Sequence, residues 1–155
     1  MSIAERLHSL GYALPEAPAP AANYVPFTLA GRILTISGQV SRAPDGVMHA
    51  GQVGDTVTPE AAKTAAEVAA LNVIAQIAAA TGGDIGRVRR VLRLGVFVSS
   101  TPGFTGQPAV ANGASDLMVA VFGEAGRHAR AAVGVAALPG GATVEVEATV
   151  EIDLT

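Results

Sequence analysis

Arg130 opens the apolar run Ala131-Ala-Val-Gly-Val-Ala-Ala-Leu138. A guanidinium stays charged at any physiological pH and is costly to desolvate. At the mouth of such a strand it is usually kept to grip a carboxylate or phosphate through two parallel hydrogen bonds. An ion pair with Glu145, Glu147 or a carboxylate near the N-terminus would satisfy it equally well. Glu145 and Glu147 alternate with apolar residues near the C-terminus, on a strand face where carboxylates are ordinarily solvated. Ser37, before Gly38, reads as a residue that ends a strand, and Tyr24 reads as a core tyrosine with a satisfied hydroxyl.

Several chemistries are excluded by what the chain lacks. With no cysteine there is no disulfide, thiolate nucleophile or cysteine zinc site. His8, His49 and His128 lie far apart, with no pair at i, i+4, so neither a metal site nor any other cofactor is expected. The glycines at 38, 46, 51 and 54 follow no phosphate-loop spacing, and Gly82-Gly83 closes a helix and does not open one. Arg87, Arg89, Arg90 and Arg93 form a basic cluster that could meet RNA phosphates. The whole chain has only two tyrosines and four phenylalanines, none interleaved with that cluster for stacking, and its net charge is −3. Nucleic acid is therefore an unfavoured partner, and the cluster reads as a solvated strand edge that discourages sheet-to-sheet pairing.

Those residues need a frame. At 155 residues, half of them hydrophobic and 15% charged, the chain suits one folded domain with apolar surface left to hide in a homo-oligomer. Ile3, Leu7 and Leu10 predict a short helix over 2–10, and Pro15–Pro20 an extended linker. Residues 1–22 are thus a helix and linker preceding a domain over 23–155. Strands are expected at about 23–30 and 32–37, turning at Ala30-Gly31, and loop over 40–56. Thr58 as N-cap, Pro59 as first helical residue and Gly82-Gly83 as stop bracket a long helix. Its stripe is Val68, Leu71, Ile74 and Ala78, broadened by Val73 and Ile77. A strand over 88–99, a helix over 108–122 ended by Gly123, and two strands flanking Leu138-Pro139-Gly140-Gly141 complete the chain. In the last strand Val144, Val146, Ala148, Val150, Ile152 and Leu154 share the core face. The order ββ–α–β–α–ββ predicts an α+β layer with both helices on one sheet face. No apolar run approaches the roughly 20 residues of a membrane span, and the charged N-terminus is no signal peptide, so a cytoplasmic protein is expected. Ten basic residues, of which Lys63 alone is lysine, and abundant alanine suit a GC-rich bacterial genome.

The block from Ala129 to Ala148 resembles the C-terminal pattern of the RidA/YjgF family, reactive-intermediate deaminases also known as endoribonuclease L-PSP-like proteins. That pattern is Ala-Arg-x-x-Val-x-Val-x-x-Leu-Pro followed by Glu-x-Glu-Ala. Here Ala129, Arg130, Val133, Val135, Leu138 and Pro139 fill it, then Glu145, Glu147 and Ala148. The likeness extends to Tyr24, thirteen residues before Ser37-Gly38-Gln39, and to Asn112 at the start of the second helix. The resemblance implies the chorismate-mutase-like fold, a mixed sheet carrying both helices on one face, and a homotrimer with intersubunit clefts. It also implies that Arg130 holds a substrate carboxylate and Glu145 orients or deprotonates the attacking water, with Tyr24, Ser37 and Asn112 lining the substrate site.

Function is then expected to be hydrolytic deamination of small 2-imino or enamine acids to 2-oxo acids and ammonia. A non-catalytic trimer that binds small carboxylates such as 2-oxo acids is the alternative, and an endoribonuclease the further one. This chain departs from the family pattern at His128, where proline is common, at Ala132, and in the loop Ser99–Gln107. One extra residue also lies between Asn112 and Arg130, and the N-terminal helix and linker are additions. These features mark a divergent branch.

Overall fold

The computed structural model describes residues 1–20 and 22–154; Ala21, within the expected linker range, and Thr155, at the end of the expected domain range, lie outside the described residues. Three helices, α1 (Ile3–Ser9), α2 (Pro59–Thr81) and α3 (Gln107–Phe122), cover one face of a five-stranded mixed sheet. The strands are β1 (Phe27–Ala30), β2 (Ile33–Val40), β3 (Val88–Ser99), β4 (Ala129–Val135) and β5 (Val144–Ile152). They lie in the order β1-β2-β5-β3-β4; β3 and β4 run parallel, joined by the α3 crossover, and the other pairs are antiparallel. The strands on either side of Leu138–Gly141 are therefore no hairpin, because β3 lies between them.

Local chemistry accounts for the helix bounds. Thr58 Oγ1 accepts from the Ala61 amide at 3.1 Å, Pro59 fills the first turn, and Gly82 closes α2 at φ 65°, a left-handed value that glycine takes without strain. From Ala69 to Ala78 every α2 residue is buried, well beyond one stripe, whereas Val68 is only half-buried. The sheet and α3 cover α2, and the N-terminal segment adds a further contact, since Gln76 Nε2 donates to the Pro18 carbonyl at 2.8 Å. That burial corrects the expectation on apolar length. α2 is long and apolar enough to span a bilayer, yet 72% of its most apolar 18-residue stretch is buried in the fold, as in a core helix. α1 carries a Ser2–Glu5 capping box, buries Ile3 and Leu7 fully, and sends the Arg6 guanidinium to the Ala120 carbonyl near the end of α3.

The sheet departs from expectation at four places. β1 starts at Phe27 and not at residue 23, since Pro26 has no amide proton to give a ladder. β2 runs on through Ser37-Gly38-Gln39 to Val40, passing an irregularity in its pairing with β5 between Ile36 and Gln39. Leu154 lies past the end of β5 and is half exposed. The arginine cluster is on no edge: β3 is an inner strand, and Arg89 pairs with Asp153, Arg93 with Glu147, while Arg87 binds the carbonyls of Thr81, Asp153 and Leu154.

Candidate functional site

Pairing register fixes which way each candidate points. Arg130 lies opposite Leu94, which lies opposite Ala148; Leu94 and Ala148 are core residues, so Arg130 projects to the helix-covered face. Glu145 lies opposite Phe97, itself opposite Val133, an odd number of residues away on each strand. It projects to the uncovered face. Within one chain Arg130 and Glu145 therefore stand on opposite faces of the sheet, and the ion pairs of Arg130 with Glu145 or Glu147 offered by the sequence do not form.

At the covered face, α3 supplies what Arg130 touches. Nη1 donates to Asn112 Oδ1 at 2.9 Å and to Ser115 Oγ at 3.1 Å, and Nη2 donates to the Pro108 carbonyl at 3.3 Å. Three of the five guanidinium donors are thus used, all on neutral acceptors. Among the described residues no carboxylate lies within ion-pair distance of Arg130. Ser115 in turn meets His128 Nε2 at 2.9 Å, and His128 Nδ1 meets the Gly126 carbonyl at 2.6 Å. Burial, together with the nearby Arg130 charge, holds the His128 imidazole below its ordinary pKa, against the pull of its Gly126 hydrogen bond.

A separate cleft of about 640 Å³ lies where β2 meets β5, beneath the Pro15–Pro20 segment. Tyr24, Pro26, Gly38, Arg42, Asn72 and Glu145 are on its walls. Burial, reinforced by the Glu147 charge, raises the Glu145 carboxyl above its ordinary range. It is more than a solvated strand carboxylate, because its side chain lies flat over Gly38, whose missing side chain makes the room. Tyr24 is half exposed, so it is not the core tyrosine of the simpler reading. Ser37 Oγ donates to the Val25 carbonyl at 2.8 Å, and its amide donates to Pro26; both pin the Tyr24 segment onto β2.

One chain thus brings Arg130 together with Asn112, and Glu145 with Tyr24, but does not join the two groups. The sequence reading missed Ser115 and the partners of His128. The signal available was the i, i+3 spacing of Asn112 and Ser115, which puts both on one face of α3.

Residues 4–149 match the family described as YjgF/chorismate mutase-like, with an endoribonuclease assignment. The chain belongs to the YjgF/RidA family. The matched span begins inside α1, covers β1 to β4 whole and ends within β5. Protein TCP17 of Trypanosoma cruzi is 51% identical over 152 residues, covering 97% of this chain and 94% of that protein. The crystal structure of Atu1372 from Agrobacterium tumefaciens, a protein of unknown function, is 49% identical with a TM-score of 0.88, covering 99% of this chain and 94% of that one. A crystal structure from Shewanella oneidensis MR-1 is 32% identical with a TM-score of 0.92, covering 98% and 100%. The chorismate-mutase-like fold that the resemblance implied is the fold this YjgF/RidA chain has.

Proposed function

We propose that this YjgF/RidA chain hydrolyses small 2-imino or enamine acids to 2-oxo acids and ammonia in clefts between the subunits of a homotrimer. The observation that carries the reading is the half-buried, uncompensated Arg130. Among the described residues its charge is met only by neutral oxygens, leaving Nε–H and one Nη2 hydrogen for an incoming carboxylate. Glu145 is its complement, a carboxyl in no ion pair among the described residues, whose proton affinity burial and the Glu147 charge raise. Because the two face away from each other in one chain, a second copy must bring its Glu145 cleft to the Arg130 edge of the first.

The uncovered sheet face supports such an assembly. Among the described residues β4 has no second strand neighbour, and it presents Ala129, Ala131 and Val133 beside Phe97 of β3, with Val133 47% exposed. In the cleft, Arg130 holds the substrate carboxylate and Asn112 steadies the guanidinium. Tyr24 forms a wall, and Ser37 keeps the Tyr24 segment in place. Water attacks the α-carbon of the protonated imine while Glu145 takes one of its protons. Glu145 returns that proton to the amine of the carbinolamine, and the carbon–nitrogen bond breaks as the hydroxyl proton passes to the departing ammonia. The products are a 2-oxo acid and an ammonium ion, with Glu145 again ionised. The electrophile is already activated by its own charge, so placement supplies most of the rate.

A non-catalytic binder of 2-oxo acids uses the same Arg130 and is the second reading; the opposed directions of Arg130 and Glu145 within one chain favour it if no oligomer forms. Endoribonuclease activity gains no support from the basic cluster, because Arg87, Arg89 and Arg93 are engaged by carbonyls and carboxylates. The test is ammonia and 2-oxo acid release from imino acids generated in situ by an amino-acid oxidase. Acceleration by wild type that Arg130→Ala abolishes supports the deaminase. No acceleration by trimeric protein that still binds 2-oxobutyrate moves the assignment to the binder.

A further inference from the structure

We infer that Ser115 and His128 are positioning residues that set the guanidinium of Arg130 through a one-directional hydrogen-bond relay. The inference rests on reading Arg130 as the carboxylate anchor. Its geometry starts at a backbone carbonyl. The Gly126 oxygen can only accept, so His128 Nδ1, 2.6 Å away, carries the ring proton. In the neutral ring Nε2 is then an acceptor, and the Ser115 hydroxyl 2.9 Å away must donate to it. With its only hydrogen committed, Ser115 Oγ offers just lone pairs, and Arg130 Nη1 fills one of them at 3.1 Å. The order is Arg130 to Ser115 to His128 to Gly126, and no member can reverse without breaking a neighbour.

Three elements supply this relay, which is why the sequence hides it. Asn112 and Ser115 lie one turn apart on α3 and take both Nη1 hydrogens, and the Pro108 carbonyl one turn earlier takes one from Nη2. The 3-10 turn Gly123–Gly126 supplies the carbonyl. It reaches His128 because Gly126 packs on α3 where a Cβ would lie 2.7 Å from the Met118 carbonyl carbon and 2.9 Å from Val119 Cα. His128 enters from the residue just before β4. With both Nη1 hydrogens and one Nη2 hydrogen engaged by α3, Nε–H and the second Nη2 hydrogen remain, the pair of donors a carboxylate takes side-on. A neutral imidazole does this without adding a second cation beside Arg130.

The experiment is titration with 2-oxobutyrate, followed by calorimetry, of wild type, Ser115→Ala, Ser115→Thr, His128→Ala and the double alanine variant. Each hydrogen bond lost to the charged group should weaken binding on the order of tenfold. Ser115→Thr should restore it to within about twofold, because the hydroxyl returns. The double variant should be no worse than either single one, since the relay is a chain. Wild-type affinity in Ser115→Ala, or additive losses in the double variant, would overturn the inference. The imidazole nitrogen shifts of His128, read by NMR in the unliganded protein, separate this from the anchor reading. A proton on Nδ1 whose signal responds to both Ser115→Ala and Arg130→Ala upholds the relay even if 2-oxobutyrate fails to bind, a failure that sinks the anchor alone. A proton on Nε2, or no response to Arg130→Ala, sinks the relay whatever binds.

Discussion

Gly38→Ala tests the role of Glu145 without touching its chemistry. Gly38 lies outside the positive-φ set, so alanine fits the backbone, and a strand glycine replaced this way gains about 0.5–1 kcal/mol from reduced chain entropy. The new methyl would stand 2.9 Å from the Glu145 carboxyl carbon and 3.2 Å from Cγ, where ordinary contact begins at 3.4 Å. The carboxyl carbon must therefore retreat by 0.5 Å, the difference between 3.4 and 2.9 Å, and Oε1 by more. Glutamate can swing aside, so overpacking should cost no more than about 1 kcal/mol, the low end of such substitutions. The two contributions nearly cancel, and the melting temperature should stay within a few degrees of wild type. Activity should not. Misplacing a reacting group by about 1 Å costs up to about 100-fold, so imino-acid hydrolysis should fall by roughly 10- to 100-fold while 2-oxobutyrate still binds. The assay is steady-state hydrolysis in the wild-type and Glu145→Gln backgrounds, with thermal denaturation alongside. If Gly38→Ala keeps full activity, or slows Glu145→Gln by the same factor as wild type, Glu145 is not what Gly38 makes room for.

Gly113→Ala should destabilise the fold by roughly 1–3 kcal/mol, because its Cβ would meet the Lys63 carbonyl, whose carbon lies 3.0 Å away on the backbone of α2; urea denaturation measures this, and a neutral substitution would show that α2 and α3 have room to part. The Glu145 carboxyl is raised above its ordinary 4.5, so its contribution is complete below that pH and is lost as pH rises through the folded value. Glu145→Gln should accordingly melt higher than wild type at pH 8, with the gain vanishing by about pH 4. His128 has the opposite sign: lowered from 6.5, its contribution is complete above that pH and falls away as pH drops toward the folded value. His128→Asn should flatten that acid loss, and an unchanged slope in pH-dependent melting would refute the assignment. Val133→Glu on the uncovered face should leave monomer stability within about 0.5 kcal/mol while dissociating the proposed trimer, as read by light scattering. A wild-type monomer at micromolar concentration would remove the intersubunit cleft altogether.

The sequence by itself determined most of the framework. Capping chemistry at Thr58-Pro59 and Gly82-Gly83 bounds α2, apolar periodicity marks α3 and β3, and strict alternation marks β5. These signals are local, arising from backbone groups and neighbours a few residues apart, so they survive in one dimension. The family was equally legible, because the Ala129–Pro139 block, Glu145 fifteen residues after Arg130 and Tyr24 thirteen before Ser37 keep the family pattern, even with one extra residue between Asn112 and Arg130. Tertiary structure alone decided that β3 separates β4 from β5, which turned an apparent basic edge into an inner strand whose Arg89 and Arg93 are paired with carboxylates. It decided too that Arg130 and Glu145 face opposite sides, since facing depends on pairing parity between strands distant in sequence. The Ser115–His128 contact belongs to the same class. A serine and a histidine thirteen residues apart carry no pattern until the turn at Gly126 folds the chain back along α3 and places one ring nitrogen against one hydroxyl.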